Sequence, residues 1–220
     1  MQATFLAFLK ELAENNDRDW FHANKNRYEA AVKVPFETLV AQILSQIGQK
    51  DERFLLVLPK NCIYRIHRDT RFSPDKTPYK THVSASISPQ GTKNKEFPGF
   101  YLQLGGDQIL LGGGAYFLEK ETLKKVRHYI ASDLEEFESV MTEENFVKKF
   151  GGIKGEANKR LEADFQAVFA QQPLIANKQF YFMSTFEPDI LLKNDFASFI
   201  TEYYLAAEKV IHFLEKAIQN

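Results

Sequence analysis

The sequence predicts an α+β fold: an antiparallel sheet of four or more strands flanked by N-terminal and C-terminal helices. Three observations carry this. Apolar residues recur at helical spacing over the first fifty residues, alternate with polar ones between residues 62 and 111, and return to helical spacing after the glycine run at 112–114. Alternation gives a strand one dry and one wet face, which favours antiparallel pairing. Helices before and after such a sheet imply a single α+β domain over residues 1–220. Its parts are a helical segment 1–50, a sheet core 60–115, and a mainly helical segment 116–220 with one further strand near 178–186.

The elements follow in order. Phe5, Leu6, Phe8, Leu9 and Leu12 mark one face of a first helix, ended by Asn15-Asn16. Asp17 caps a second, which carries Trp20, Phe21, Tyr28 and Val32. Pro35 breaks or restarts it, because proline lacks an amide hydrogen and clashes with the preceding turn. A third helix from Phe36 to Ile47 places Leu39, Val40, Ile43 and Leu44 on one side and stops at Gly48. Strands come next. Cys62, Tyr64 and Ile66 are expected to face the core, with Arg65 and His67 on the other side. Val83, Ala85 and Ile87 alternate with His82, Ser84 and Ser86, and Phe100, Leu102 and Leu104 alternate with Tyr101 and Gln103. Gly105-Gly106-Asp107 turns the chain into a fourth run, Gln108 to Leu111. Beyond it, Leu118 to Tyr129 reads as a helix, Ser132 with Glu135 as the capping box of another, and Thr142 as the start of a third. Residues 178–185 are β-like. Asn194-Asp195 cap a last helix whose stripe is Phe199, Tyr203, Ala206, Val210, Phe213 and Leu214.

Composition excludes several function classes. With 28 Lys plus Arg against 29 Asp plus Glu, the net charge of -1 rules out a globally basic nucleic-acid binder. One cysteine, Cys62, rules out an internal disulfide framework and multi-cysteine zinc sites. The 20 Phe and 9 Tyr imply a heavy aromatic core. No basic segment precedes the apolar residues Phe5–Leu9, and no apolar run approaches ~18 residues, so neither a signal peptide nor a membrane span is expected. The expectation is a soluble, cytoplasmic protein with no membrane partner.

One segment departs from the neutral background. Between Tyr64 and His82, five cations (Arg65, Arg68, Arg71, Lys76, Lys80) stand against Asp69 and Asp75, a local balance of +3. Arginine presents a planar fork of donors that matches carboxylate or phosphate oxygens. Ser73-Pro74-Asp75 could cap a helical turn whose free amides attract anions. The alternation puts His82, Ser84, Ser86, Tyr101 and Gln103 on one polar sheet face, together with Arg65 and His67, and the loop would overhang it. The opposing interpretation is an Arg68–Asp69–Arg71 ion-pair network that only pins a long loop.

The residues that carry a resemblance are Asn15-Asn16-x-Arg18-x-Trp20-Phe21, then Arg65-x-x-Arg68-Asp69-x-Arg71-Phe72-Ser73-x-Asp75-Lys76-x-Pro78-Tyr79-Lys80, then Gly99-Phe100-Tyr101-Leu102 and Leu111-Gly112-Gly113-Gly114. In these motifs, over nearly the whole chain, the sequence resembles domain of unknown function family 2461. The resemblance implies a compact α+β protein with polar signature positions, and no established activity.

Other constellations are weaker. The Gly112-Gly113-Gly114 run sits where phosphate-cradling loops sit, yet lacks both the P-loop and the dinucleotide pattern. His67, His82, Asp69 and Asp75 match no standard metal spacing, so no metal and no cofactor is expected. Cys62 reads as a small buried hydrophobe. The expected function is binding of a small anionic, phosphate- or carboxylate-bearing ligand, with hydrolysis or group transfer as the reaction class if turnover occurs. Arg65, Arg68 and Arg71 would donate to the oxyanion, Asp69 would orient an arginine, and Lys76 and Lys80 would widen the positive field. Tyr79 and Trp20 would shape the wall. The alternatives are a nucleic-acid-associated protein using the same loop, or a non-catalytic interaction protein with a structural Arg-Asp network.

Overall fold

Ten α-helices and four β-strands succeed one another in the computed structural model, which describes residues 1–220. The chain divides into two compact units. The first comprises Met1–Thr92, Tyr101–Leu111 and Thr185–Thr201, and the second Lys93–Phe100, Gly112–Ser184 and Glu202–Asn220.

In the first unit, α1 (Ala3–Glu14) buries Phe5, Leu6, Phe8, Leu9 and Leu12. Each such side chain stabilises the fold by roughly 1.5–3 kcal/mol. Asp17 caps α2 (Arg18–Ala23) by accepting from the Trp20 amide at 2.8 Å. A short α3 (Lys25–Tyr28) runs into a single π-turn, Glu29–Lys33, and then into α4 (Val34–Gly48). The Val34 amide reaches back to the Glu29 carbonyl. The widened turn leaves Pro35 in the first turn of α4, where its missing N–H costs nothing. Pro59 opens α5 (Pro59–Cys62), a single helical turn.

That turn corrects the first expected strand. Cys62 belongs to α5, and residues 63–67 make only isolated bridges, Ile63 to Ala85 and His67 to Tyr79. Residues opposite one another in an antiparallel pair share a face. Ile63 therefore goes with the core residue Ala85, while Tyr64 turns outward and its hydroxyl bonds with Ser86. Of the three residues expected to face the core, Cys62 and Ile66 are buried and only Tyr64 turns away, while Arg65 and His67 are exposed as expected.

The sheet itself has four antiparallel strands in the order β1-β2-β3-β4: β1 (His82–Ile87), β2 (Gly99–Gly105), β3 (Ile109–Ala115) and β4 (Phe180–Phe186). The Gly105 amide bonds the Gln108 carbonyl at 3.0 Å to close the β2–β3 turn. Gly112-Gly113-Gly114 are strand residues, not a loop. A Cβ on Gly112 would lie 2.3 Å from the Phe182 carbonyl oxygen, and one on Gly114 (φ +102) 2.1 Å from that of Phe180. Close backbone approach explains the glycines.

The second unit holds α6 (Lys120–Ser132), α7 (Leu134–Met141), α8 (Glu144–Phe150), α9 (Gln166–Phe169) and most of α10 (Phe196–Gln219). Phe137, Phe146, Phe180, Phe182 and Phe213 are fully buried in it. Asp133, not Ser132, caps α7, accepting from the Glu136 amide at 3.0 Å. Ser132 is the last residue of α6 and its hydroxyl donates to the Tyr129 carbonyl. Likewise Glu143, beyond the expected Thr142, caps α8. The start of α10 agrees with expectation: Asp195 (φ 58) accepts from the Ser198 amide at 3.3 Å. No helix is long and apolar enough to cross a membrane.

Candidate functional site

The Arg-rich segment is a loop on a short stem, within the first unit. The Arg68 amide bonds the Pro78 carbonyl at 2.9 Å, and the Lys80 amide bonds the Ile66 carbonyl at 2.8 Å. On the far side of this stem the Asn16 carboxamide acts as a fragment of strand. Its Nδ2 donates to the Tyr79 carbonyl at 2.9 Å, and its Oδ1 accepts from the Tyr79 amide at 3.1 Å. The buried Tyr79 ring stacks on Phe21 with 4.0 Å between centroids, and His67 lies 5.1 Å from Tyr79.

Within the loop the charges close on one another. Asp69 accepts from Arg71 Nε at 3.0 Å and Nη2 at 2.7 Å. Asp75 accepts from Arg68, from the Thr77 amide at 2.9 Å and from the Thr77 hydroxyl at 2.9 Å. The Arg71 donors hold the Asp69 carboxyl well below the usual carboxylate range, and the Arg68 guanidinium with Thr77 takes Asp75 to about 2. Lys76 donates to the Thr70 carbonyl at 2.8 Å. Ser73-Pro74-Asp75 starts no helical turn, since Asp75 is committed to Thr77 and Arg68.

A cleft of about 1200 Å³ opens between this loop and α2–α3. Of the residues singled out from the sequence, Arg68, Lys76 and Tyr79 line it. Arg65 lines a neighbouring cleft of about 470 Å³. Lys80 lies with its ammonium 5.4 Å from the Tyr64 ring centroid, and burial, then the Arg65 charge, lowers its pKa. Asp69 and Arg71 line neither cleft and are paired together in solvent. Trp20 lines neither, its ring packing against Phe8 at 5.6 Å as an anchor between α1 and α2.

Of the opposite wall, the 15–21 motif contained Arg18, while His22 and Lys25 were not singled out from the sequence. Arg18, His22 and Lys25 line the large cleft from α2–α3 and make no side-chain hydrogen bond or ion pair. Their spacing of four and three is that of one helix face, so a signal was present. The cleft thus gathers Arg18, Lys25, Arg68 and Lys76 with two imidazoles, His22 and His67, against Asp17 and Asp19. Asp17 is spent on the α2 cap. Such a set can receive an anion with forked and point-charge donors.

The polar sheet face is a separate feature. Tyr101 donates to Gln103 at 2.8 Å and pairs with Ser84, and burial, then the Lys80 charge, pushes the His82 imidazole down to about 4. Arg65 and His67, expected on this face, line the clefts shared with the N-terminal helices. No group of three His, Cys, Asp or Glu side chains is placed to hold a metal ion. Cys62 is buried, and burial raises its thiol pKa.

Fold and cleft together define an α+β protein with a basic, partly unpaired cleft in its first unit. The chain matches the family described as "Conserved hypothetical protein (DUF2461)" over residues 4–213 and belongs to it. No curated protein and no solved structure matches the chain.

Proposed function

We propose that this protein binds a small anionic, phosphate- or carboxylate-bearing ligand in the cleft between α2–α3 and the 68–78 loop. The observation that carries this reading is the pair Arg18 and Lys25, unpaired and on the same cleft as the Arg68 guanidinium. Arg68 is held by Asp75 and Thr77, so its remaining donors are pre-oriented. Pre-oriented donors lose less freedom on binding. Hydrolysis or transfer at a phosphoryl or acyl centre is the reaction class that fits, and a cytoplasmic setting suits a protein whose one cysteine is a buried thiol.

A structural role for the charged loop has its own support, because Asp69 and Arg71 satisfy each other away from both clefts. It accounts for that pair and leaves Arg18 and Lys25 unexplained. A nucleic-acid role would use the same cations on several phosphates at once.

A thermal-shift series with phosphate, pyrophosphate and dicarboxylates at two salt concentrations separates these readings. A ligand at ~100 times its Kd adds about 2.7 kcal/mol, a rise of roughly 5–10 °C for a chain of this size. The rise should vanish in Lys25→Ala and survive in Arg71→Ala. A flat series, or a rise that survives in both Lys25→Ala and Arg68→Gln, would sink the cleft reading. A steep loss with salt, and binding only by oligonucleotides, would favour the nucleic-acid role.

A further inference from the structure

The second cleft has a different chemistry from the first. It shares Phe21, Lys25 and His67 with its neighbour, so the two are subsites on either side of one wall. Its floor is apolar and aromatic, formed by Tyr28, Phe36, Ile63 and Ile66. Its charged lining is mixed in sign: Glu29 and Glu37 stand among Lys25, Lys33, Lys60 and Arg65. About 470 Å³ lies within the ~300–1,000 Å³ usual for small-molecule sites.

The π-turn forms part of this wall. Glu29 and Lys33 are its two ends, and both line the cleft. Such turns break the regular register of a helix and occur often at functional sites. The Tyr28 hydroxyl just before it is pushed up to about 12 by burial, then by the Glu37 and Glu29 charges, and so remains a donor at neutral pH.

These features select among anions. A second phosphate, as in an extended polyphosphate, would leave the apolar floor and the two carboxylates unmatched. A sugar would leave the apolar floor unmatched, and an acyl chain would leave the two carboxylates unmatched. A planar heterocycle satisfies both, since its faces pack on aromatic and aliphatic groups and its ring N–H and amino groups donate to carboxylates. We propose, granting the anion-binding reading above, that the ligand is a nucleoside phosphate, with its phosphate in the first cleft and its base in the second. The sugar crosses the wall formed by Lys25 and His67.

The test is calorimetric titration of the full chain with pyrophosphate, ribose 5-phosphate and the adenosine, guanosine, cytidine and uridine 5′-monophosphates. At least one nucleotide should bind ten-fold or more tighter than ribose 5-phosphate. Glu37→Gln should cut that advantage five-fold or more and leave pyrophosphate affinity unchanged. Saturation-transfer NMR on the unaltered protein provides a second readout, in which base protons should receive the strongest transfer. Nucleotides that bind no tighter than ribose 5-phosphate, with pyrophosphate still bound, overturn the base subsite and leave the anion cleft standing. Base protons without transfer, or an advantage untouched by Glu37→Gln and by Tyr28→Phe, also overturn it. If none of these compounds binds, the anion cleft falls as well.

Discussion

The 68–77 loop and the α2–α3 segment line the same cleft, yet they handle charge in opposite ways. In the loop three cations stand beside Asp69 and Asp75, and these charges are already engaged: Arg71 by Asp69, Arg68 by Asp75 and Lys76 by the Thr70 carbonyl. The helical segment looks ordinary in sequence, but Arg18, His22 and Lys25 have no such partners. Backbone geometry accounts for the difference. A carboxylate in a loop can fold back on a donor two residues away, as Asp69 and Asp75 do with the amides of Arg71 and Thr77. On a helix such closure needs partners three or four residues apart. Lys25 has Glu29 at that distance, but the π-turn begins there and no ion pair forms. Charge density in a sequence is therefore a poor guide to charge that is available to a ligand.

Three substitutions probe this contrast. The largest effect is expected at Asn16, which joins the two regions. Asn16→Ala removes both hydrogen bonds to the part-buried Tyr79 backbone and should cost about 2–4 kcal/mol in urea unfolding. A loss under ~1 kcal/mol would mean the stem stands without the helical segment. A middle effect belongs to His82, at the sheet end of the loop. Its pKa of about 4 lies below the 6.5 of the unfolded chain. The unfolded chain thus binds more protons between these values, and stability present above about pH 6.5 is lost as pH falls towards 4. Allowing for screening at a half-buried group, His82→Gln should remove about 1–2 kcal/mol of that acid dependence. Identical pH profiles for the two proteins would contradict the burial assigned to His82. The smallest effect is at the exposed pair: Asp69→Asn should leave both the melting temperature and pyrophosphate affinity unchanged within error. A loss of affinity there would break the contrast, because it would give the loop's outer pair a role in the cleft.

Features set by neighbours in sequence were legible in advance. The stripe of α1, the α4 face, the Gly105-Gly106 turn and the Asp17 and Asp195 caps each depend on residues a few positions apart. The α+β class and the family followed from them and from the long motif at 65–80. What escaped depends on competition or distance. The burial of Cys62 and Ile66 was legible from the alternation at 62–67, but Pro59 starts a helical turn that takes Cys62, and Tyr64 bonds Ser86 on the polar face instead of facing the core. Ser132 and Asp133 both suit a cap, and only the backbone decides between them. Asn16 bonds a residue 63 positions away, which no local pattern announces. Of the candidate site, Arg68, Lys76, Tyr79 and, through the 15–21 motif, Arg18 were found, while His22 and Lys25 were overlooked despite their helical spacing.

The stem at Tyr79 has a practical consequence. The bridge to His67 and the Asn16 clamp grip the chain at the foot of the loop, not along its length. Closing a longer loop costs little, about 0.6 kcal/mol for each doubling. The tip between Arg71 and Pro74, which lines neither cleft, is thus a place where a peptide tag or reporter sequence could be spliced in while the foot stays clasped.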